Sequence, residues 1–419
     1  MKKIAILAGL LLALTCTAPG WASGAENFSD TTRSYTLPLF TALANGQVGL
    51  SWSETDADGI NYLYWAVSKD QGKSFSEKQL VHASRGLRNA KLMRAKVLAK
   101  KDGSLVAVFG LSPQPAESSA SAHSSHAGRI HAGHSSEASA KPARGGRPSD
   151  LQIVYMVSKD LGATWTAPAT VHQDKTPNII RGFFDSIVMA NDEVAVAFLK
   201  DTGNPHERDL RLITSTKGVF GEERMLEKQS CDCCNISLLV DAKGALNIYY
   251  RSNINNVRDI AKMVSTDHGK TFSKPEVILA DKWEINGCPH SGPVSTVGKG
   301  TNLISWYSAG PDQPGVRLAT QEGKRLTVLS QSATNPFLVA TKKAPVLVWE
   351  ERAAAGTGAE SAIVYQLIPG QAPVKPDAFT KVGQGSNPVG ISVGNELWIA
   401  SEVLGNGTKK SIQLVHVAI

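Results

Sequence analysis

The sequence predicts an all-β fold built from repeated units of about fifty residues. Two observations carry this expectation. An eight-residue pattern, Ser-x-Asp-x-Gly-x-Thr/Ser-aromatic, occurs three times, from Ser68 to Phe75, Ser158 to Trp165 and Ser265 to Phe272. Paired apolar stretches split by a polar turn also recur along the chain, while helical periodicity is nearly absent.

The chain begins Met1-Lys2-Lys3, runs apolar from Ile4 to Leu14 and reaches small residues at Ala22-Ser23-Gly24-Ala25. This order describes a secretory signal peptide, residues 1–25, cleaved near Ala25. The apolar run is too short to span a bilayer, and no later stretch is long and apolar enough. The expectation is an exported protein, periplasmic or secreted, with no transmembrane segment. Cys16 follows Ala13-Leu14-Thr15, which lacks the small residue expected before a lipidated cysteine. The net charge of +7 falls to +5 once Lys2 and Lys3 leave with the leader. A surplus this small and scattered argues against a nucleic-acid partner.

Residues 26–419 read as one domain. The strand pairs lie at Leu37–Ser53, Arg94–Gly110, Asp185–Lys200, Asn235–Arg251, Pro293–Tyr307, Asn335–Glu350 and Asn387–Ser401. Third strands follow several of them, near 150–157, 209–215, 259–264 and 362–366. The eight-residue pattern then works as a hairpin turn. In its three copies Asp70, Asp160 and Asp267 bond turn N–H groups, and Gly72, Gly162 and Gly269 supply positive φ. Ser68, Ser158 and Ser265 open the turns; Phe75, Trp165 and Phe272 return under the sheet. Degenerate copies stand at Ser215 to Gly218 and Ala319 to Gly323.

This turn resembles the Asp-box, or BNR repeat, of the sialidase superfamily, and the resemblance covers nearly all of the chain after the leader. It implies a β-propeller of six or seven four-stranded blades. Sialidases have six, but seven strand pairs favour seven here. The last unit, 379–419, lacks an outer strand, which the segment around Thr31–Thr36 is expected to supply. The resemblance also implies an arginine triad, a Tyr nucleophile with its Glu and an Asp acid/base. The Arg-Ile-Pro context of the first family arginine is missing. Arg94 and Arg181 stand at mouths of inner strands without matching it, Tyr249, Tyr250 and Arg251 read as sheet packing with a solvated end, and Glu350 and Glu351 as surface charge. No catalytic residue is assigned.

All the cysteines beyond the leader lie in two runs, Cys231-Asp232-Cys233-Cys234 and Cys288-Pro289-His290, each just ahead of an inner strand. A gapless alignment of the two units, with Leu246 on Leu303, places Asn235 on Gly292, Cys233 on His290 and Cys231 on Cys288. In extended chain, residues i and i+2 face one side. Adjacent blades are therefore expected to present Cys231, Cys233, Cys288 and His290 at one level near the channel mouth, with Cys234 as a spare ligand or redox partner. Three sulfurs and one nitrogen suit copper or zinc. The alternative is structural disulfide bonding, such as Cys231 or Cys234 to Cys288, since exported proteins form disulfides.

Residues 112–149 delay the third strand of the second unit. They are rich in Ser, Ala, Gly and Pro and too poor in apolar side chains to pack, so they read as a disordered insertion. They carry His123, His126, His131 and His134, a spacing that reads as a secondary metal-collecting tract. Propeller topology puts this insertion on the face that carries the cysteine runs. Arg208-Asp209 and Arg258-Asp259 align in equivalent loops and read as structural ion pairs. The leading function is an exported propeller that binds a soft transition metal ion, copper before zinc. The alternatives are an exo-glycosidase that takes a glycan in the funnel, and a non-catalytic propeller that docks an exported protein partner.

Overall fold

The computed structural model describes residues 27–70, 72, 74–113, 150–203, 208–353, 360–405 and 409–419. Residues 1–25 and the histidines at 123, 126, 131 and 134 lie outside them. The described chain forms seven antiparallel sheets in a ring, and apart from two short 3-10 turns it contains no helix. The expected seven-bladed propeller is borne out.

The first blade runs outward through Ser34–Ala42, Val48–Thr55, Asn61–Ser68 and Gln79–Ser84. The second uses Lys96–Ala99, Leu105–Leu111, Gln152–Ser158 and Ala169–Thr170, and the third starts with Arg181–Val188, Val194–Asp201 and Arg208–Thr216. The two blades that meet at the cysteines are the fourth and the fifth. The fourth is Ser237–Val240, Leu246–Arg251, Ile260–Ser265 and Glu276–Leu279; the fifth is Val294–Val297, Asn302–Ser308, Gly315–Thr320 and Arg325–Val328.

Closure corrects one expectation. The outer strand of the seventh blade comes from Asn27–Phe28, paired with Ile412 and Gln413, and not from the segment around Thr31–Thr36. Ser34 to Thr36 already belong to the innermost strand of the first blade. Alternation had placed apolar residues correctly, but a two-residue outer strand is too short to leave a periodic signal. Closing the ring this way joins the two ends of the chain in one blade, so that the seventh blade packs against the first, and each blade keeps only a short outer edge.

The core is divided among the seams. Each pair of neighbouring blades encloses its own apolar cluster, for example Leu212, Ile236, Leu246 and Tyr250 between the third and fourth blades, and Tyr249, Ile260, Ile304 and Trp306 between the fourth and fifth. The Asp-box turns knit the same seams. In the first, Ser68 Oγ accepts the Gly72 N–H at 2.5 Å, and Asp70 Oδ1 accepts the Ser74 N–H at 3.0 Å. The copies at Ser158 and Ser265 repeat these bonds. Gly72 has a second reason to be glycine besides φ of +78°. A Cβ there would lie 1.0 Å from the Trp398 ring of the preceding blade.

Two further expectations fail, and for Arg208 and Asp209, inside one strand, the reason is that neighbouring side chains alternate faces. Arg208 and Asp209 do not pair with each other: Arg208 bonds Asp201 at 2.6 Å and Asp209 takes Arg211 at 2.6 Å. Arg258 reaches Asp232 at 3.8 Å, not its neighbour Asp259.

Candidate metal centre

The loops leading into the fourth and fifth blades meet as the alignment expects. Asn235 Oδ1 accepts the Gly292 N–H at 2.9 Å, and the Ser237 and Ser295 hydroxyls bond at 2.7 Å. Gly292 is required by close approach: an added Cβ would lie 1.9 Å from the Asn235 carbonyl oxygen. The Arg251 guanidinium fastens this seam. It is 1% exposed and donates to the carbonyls of Ser291 at 2.8 Å, Arg258 at 2.6 Å and Tyr307 at 2.7 Å, while lying over the Trp283 ring. Arg251 is thus an internal clamp and not a solvated strand end. A charged group stays so deep because every direction it points in ends at an acceptor or a π face.

The cysteines gather, though not as one flat group of four. The Sγ atoms of Cys231, Cys233 and Cys234 lie within 4.8 Å of one another, and all three residues are buried. Cys233 Sγ, Cys288 Sγ and a ring nitrogen of His290 form a second group within the same limit, with Cys288 and His290 exposed. Cys233 is common to both. The register argument assumed an extended run, but Asp232 and Cys233 form a turn. That turn brings Cys234, the expected spare ligand or redox partner, back to 2.7 Å from Cys231, closer than Cys233 at 3.8 Å. The C-x-x-C spacing of Cys231 and Cys234 carried that signal in the sequence. All four are free thiols.

The distances set the chemistry. Two thiolates on one tetrahedral ion at about 2.3 Å sit about 3.8 Å apart, and Cys231 and Cys233 are 3.8 Å apart. Cys231 and Cys234 are too close to be two ligands of one ion as they stand. Hydrogen bonds offered first by the Cys233 thiol and then by Cys234 hold Cys231 far below the usual thiol range, with Arg258 assisting against burial. Cys233 is pushed up as that donor, and burial pushes Cys234 up to about 12. The cluster therefore stabilises one thiolate, on Cys231.

Asp232 is a residue that sequence reasoning passed over. Its carboxylate lies 3.8 Å from Cys288 Sγ and faces Arg258, and its carbonyl accepts Arg208 Nη1 at 2.5 Å. It ties the exposed cysteine to the buried group. His290 holds φ of +48°, a region that costs a β-substituted residue energy, and its Nδ1 lies 3.0 Å from the Cys288 carbonyl.

A funnel of about 680 Å³ opens beside His290, with Arg94, Lys96, Asp185, Tyr307 and Glu350 on its walls. Its charged groups are largely committed to the fold. Arg94 donates to the Asn387 carbonyl at 3.1 Å, and burial lowers its pKa to about 10. Glu350 is 8% exposed, not surface charge, and accepts from Asn335 at 2.7 Å and the Asn387 N–H at 3.2 Å. Arg181, which opens the third blade's innermost strand and is not among the funnel's lining residues, is 1% exposed and bonds Asp174 at 2.8 Å. Ser112 and Leu151, described residues on either side of the histidine tract, lie at the face of the cysteine runs: Ser112 bonds Gly86 and Leu151 bonds Ile179, both in loops leading into inner strands.

A family model for a BNR repeat-like domain matches residues 122–284. Among solved structures, a protein of unknown function from Dyadobacter fermentans superposes with a TM-score of 0.52 at 13% identity, covering 95% of this chain and 100% of that one. A mutant of the NanB sialidase from Streptococcus pneumoniae superposes at 0.50 with 12% identity, covering 93% of this chain and 69% of that one. A Hadza microbial sialidase scores 0.49 at 12% identity, covering 92% of this chain and 66% of that one. A search of curated proteins finds no match. At these identities the likeness concerns the fold, and the family model adds a BNR repeat-like domain over residues 122–284. Among the described residues, no helix is long and apolar enough to cross a membrane.

Proposed function

We propose that this chain is an exported propeller that holds one soft transition metal ion, copper before zinc, where the fourth blade meets the fifth. The observation that carries this reading is the position of Cys233, shared by a buried thiol group and by Cys288 with His290. Cys231, Cys233, Cys288 and His290 supply three sulfurs and one nitrogen. Cys231 already favours the thiolate that a soft cation needs. Small shifts of the exposed Cys288 and His290 complete the site, and the histidines at 123, 126, 131 and 134 act as a secondary metal-collecting tract. The test is a competition titration of the reduced chain with a Cu(I) chelator and, separately, with a zinc indicator. One tight site per chain, weakened at least tenfold in Cys231→Ser, Cys288→Ser and His290→Ala, is the expected result, because ligands act as a set.

The funnel favours a second reading, a glycan ligand beside the metal centre, since it is wide and lined by Arg94, Asp185 and Glu350. A fluorogenic sialoside assay tests whether that space hydrolyses sugar. Turnover that is abolished in a Glu350→Gln variant with unchanged thermal unfolding would establish the glycosidase reading, and no turnover in the wild-type chain would remove it.

A further inference from the structure

We propose that the four cysteines form a thiol–disulfide relay, which carries oxidising equivalents from exposed Cys288 through Cys233 to a buried Cys231–Cys234 pair. The order of the sulfurs argues for it. Cys288 alone is exposed. Cys233 lies within 4.8 Å of Cys288 on one side and 3.8 Å from Cys231 on the other. Cys231 and Cys234 end the chain at 2.7 Å, close to a disulfide length of about 2.05 Å, across a two-residue turn. Cys231, Cys233 and Cys234 are buried with Phe183 packed against them, so an outside oxidant meets Cys288 first.

The oxidant is a low-molecular-weight disulfide, and each step is one exchange. The Cys288 thiolate attacks one sulfur of the small disulfide, the S–S bond breaks, and one small thiol leaves with the proton that Cys288 gave up. Cys233 then attacks the Cys288 sulfur and expels the second small thiol, leaving a Cys233–Cys288 disulfide. Cys231 attacks Cys233 and returns Cys288 to the thiol. Cys234 attacks Cys231 and returns Cys233. The net change is two cysteine thiols oxidised to one Cys231–Cys234 disulfide and one small disulfide reduced to two thiols.

The relay deepens the metal reading and in one respect rests on it. The final bridge withdraws Cys231 from the metal, leaving Cys233, Cys288 and His290. Metal retention then becomes a readout of the surrounding redox poise.

The experiment uses the full chain, metal-free, reduced and anaerobic. Oxidised glutathione is added, reactions are quenched with iodoacetamide, and peptides are sequenced by mass spectrometry. All three buried cysteines fall in the tryptic peptide Gln229 to Lys243, and Cys288 falls in another. The expected end product carries the alkyl mark on Cys233 and Cys288 and a bridge between Cys231 and Cys234. Cys288→Ser should form that bridge at least tenfold more slowly. Cys233→Ser should stall as the Cys288–glutathione mixed disulfide. A bridge that forms at the wild-type rate in Cys288→Ser, or an end product bridged through Cys288, overturns the relay. So does glutathionylated Cys288 with no internal bridge in the wild-type chain. Thermal unfolding of each variant checks that its fold is intact. No metal enters this readout. A reduced chain that binds no Cu(I) defeats the metal reading alone, whereas a bridged chain that keeps its Cu(I) affinity defeats the coupling alone.

Discussion

Replacing Arg251 by Met keeps the aliphatic stem but removes the clamp between the fourth and fifth blades. Three bonds from a charged donor are lost, to the carbonyls of Ser291, Arg258 and Tyr307, together with the contact over Trp283. A bond to a charged group contributes about 1.5–3 kcal/mol, and a buried carbonyl left bare costs about 1–3 kcal/mol. Water entering from the funnel side relieves part of this. The expected loss is therefore about 3–5 kcal/mol, the range seen when one partner of a buried charged interaction is removed. At about 2 cal/mol/K of unfolding entropy per residue, a chain of this length loses slightly more than about 1 °C per kcal/mol, so the midpoint should fall by about 3–6 °C. The site should feel it too, because Ser291 adjoins His290. Scanning calorimetry with Cu(I) competition on the same preparations measures both effects. A fall below about 1 °C, or a stability loss with unchanged metal affinity, would refute the argument that Arg251 positions the His290 limb.

Gly292→Ala should push the Asn235 and Gly292 backbones apart, because its Cβ would lie 1.9 Å from the Asn235 carbonyl oxygen. Both stability and metal affinity are expected to drop, with the metal effect at least tenfold in the chelator competition. The Asp-box carboxyls predict a pH window. Hydrogen bonds from Ser74 and Thr164 hold Asp70 and Asp160 down to about 2, and those from Thr271 depress Asp267 similarly. A depressed carboxylate pKa gives stability that is complete above the unfolded value of about 3.9 and lost as pH falls toward the folded one. Urea midpoints should therefore decline between about pH 4 and pH 2, and less steeply in Asp267→Asn. His172 is lowered chiefly by burial, so its stabilising effect is complete above about pH 6.5 and is lost below it. His172→Gln should flatten the stability profile just below that pH.

The fold was legible because its signals are local. A Ser-x-Asp-x-Gly turn must bond its own backbone, and strand alternation must follow the seams, so seven pairs could be counted directly. The Asn235–Gly292 register was legible for the same reason, since adjacent blades repeat one geometry. Legibility ended where side chains bend away from the repeat. The Asp232–Cys233 turn is specific to one blade, so an extended i, i+2 rule brought Cys231 and Cys233 together but gave no sign that Cys234 comes within 2.7 Å of Cys231. Arg251 looked like a strand end because its three acceptors are backbone carbonyls, which carry no mark in a sequence. Glu350 and Arg208 found partners across seams or faces that linear spacing does not encode. The outer strand at Asn27–Phe28 was simply too short to see.

The central claim is that Cys233 joins two ligand groups into one soft-metal site. It is tested most directly by Cu(I) chelator competition on the reduced full chain and on Cys233→Ser. The account predicts one tightly held ion per wild-type chain, and a loss in Cys233→Ser larger than that in either Cys231→Ser or His290→Ala. A wild-type chain with four titratable thiols and no retained metal, or a Cys233→Ser variant with unchanged affinity, would contradict it.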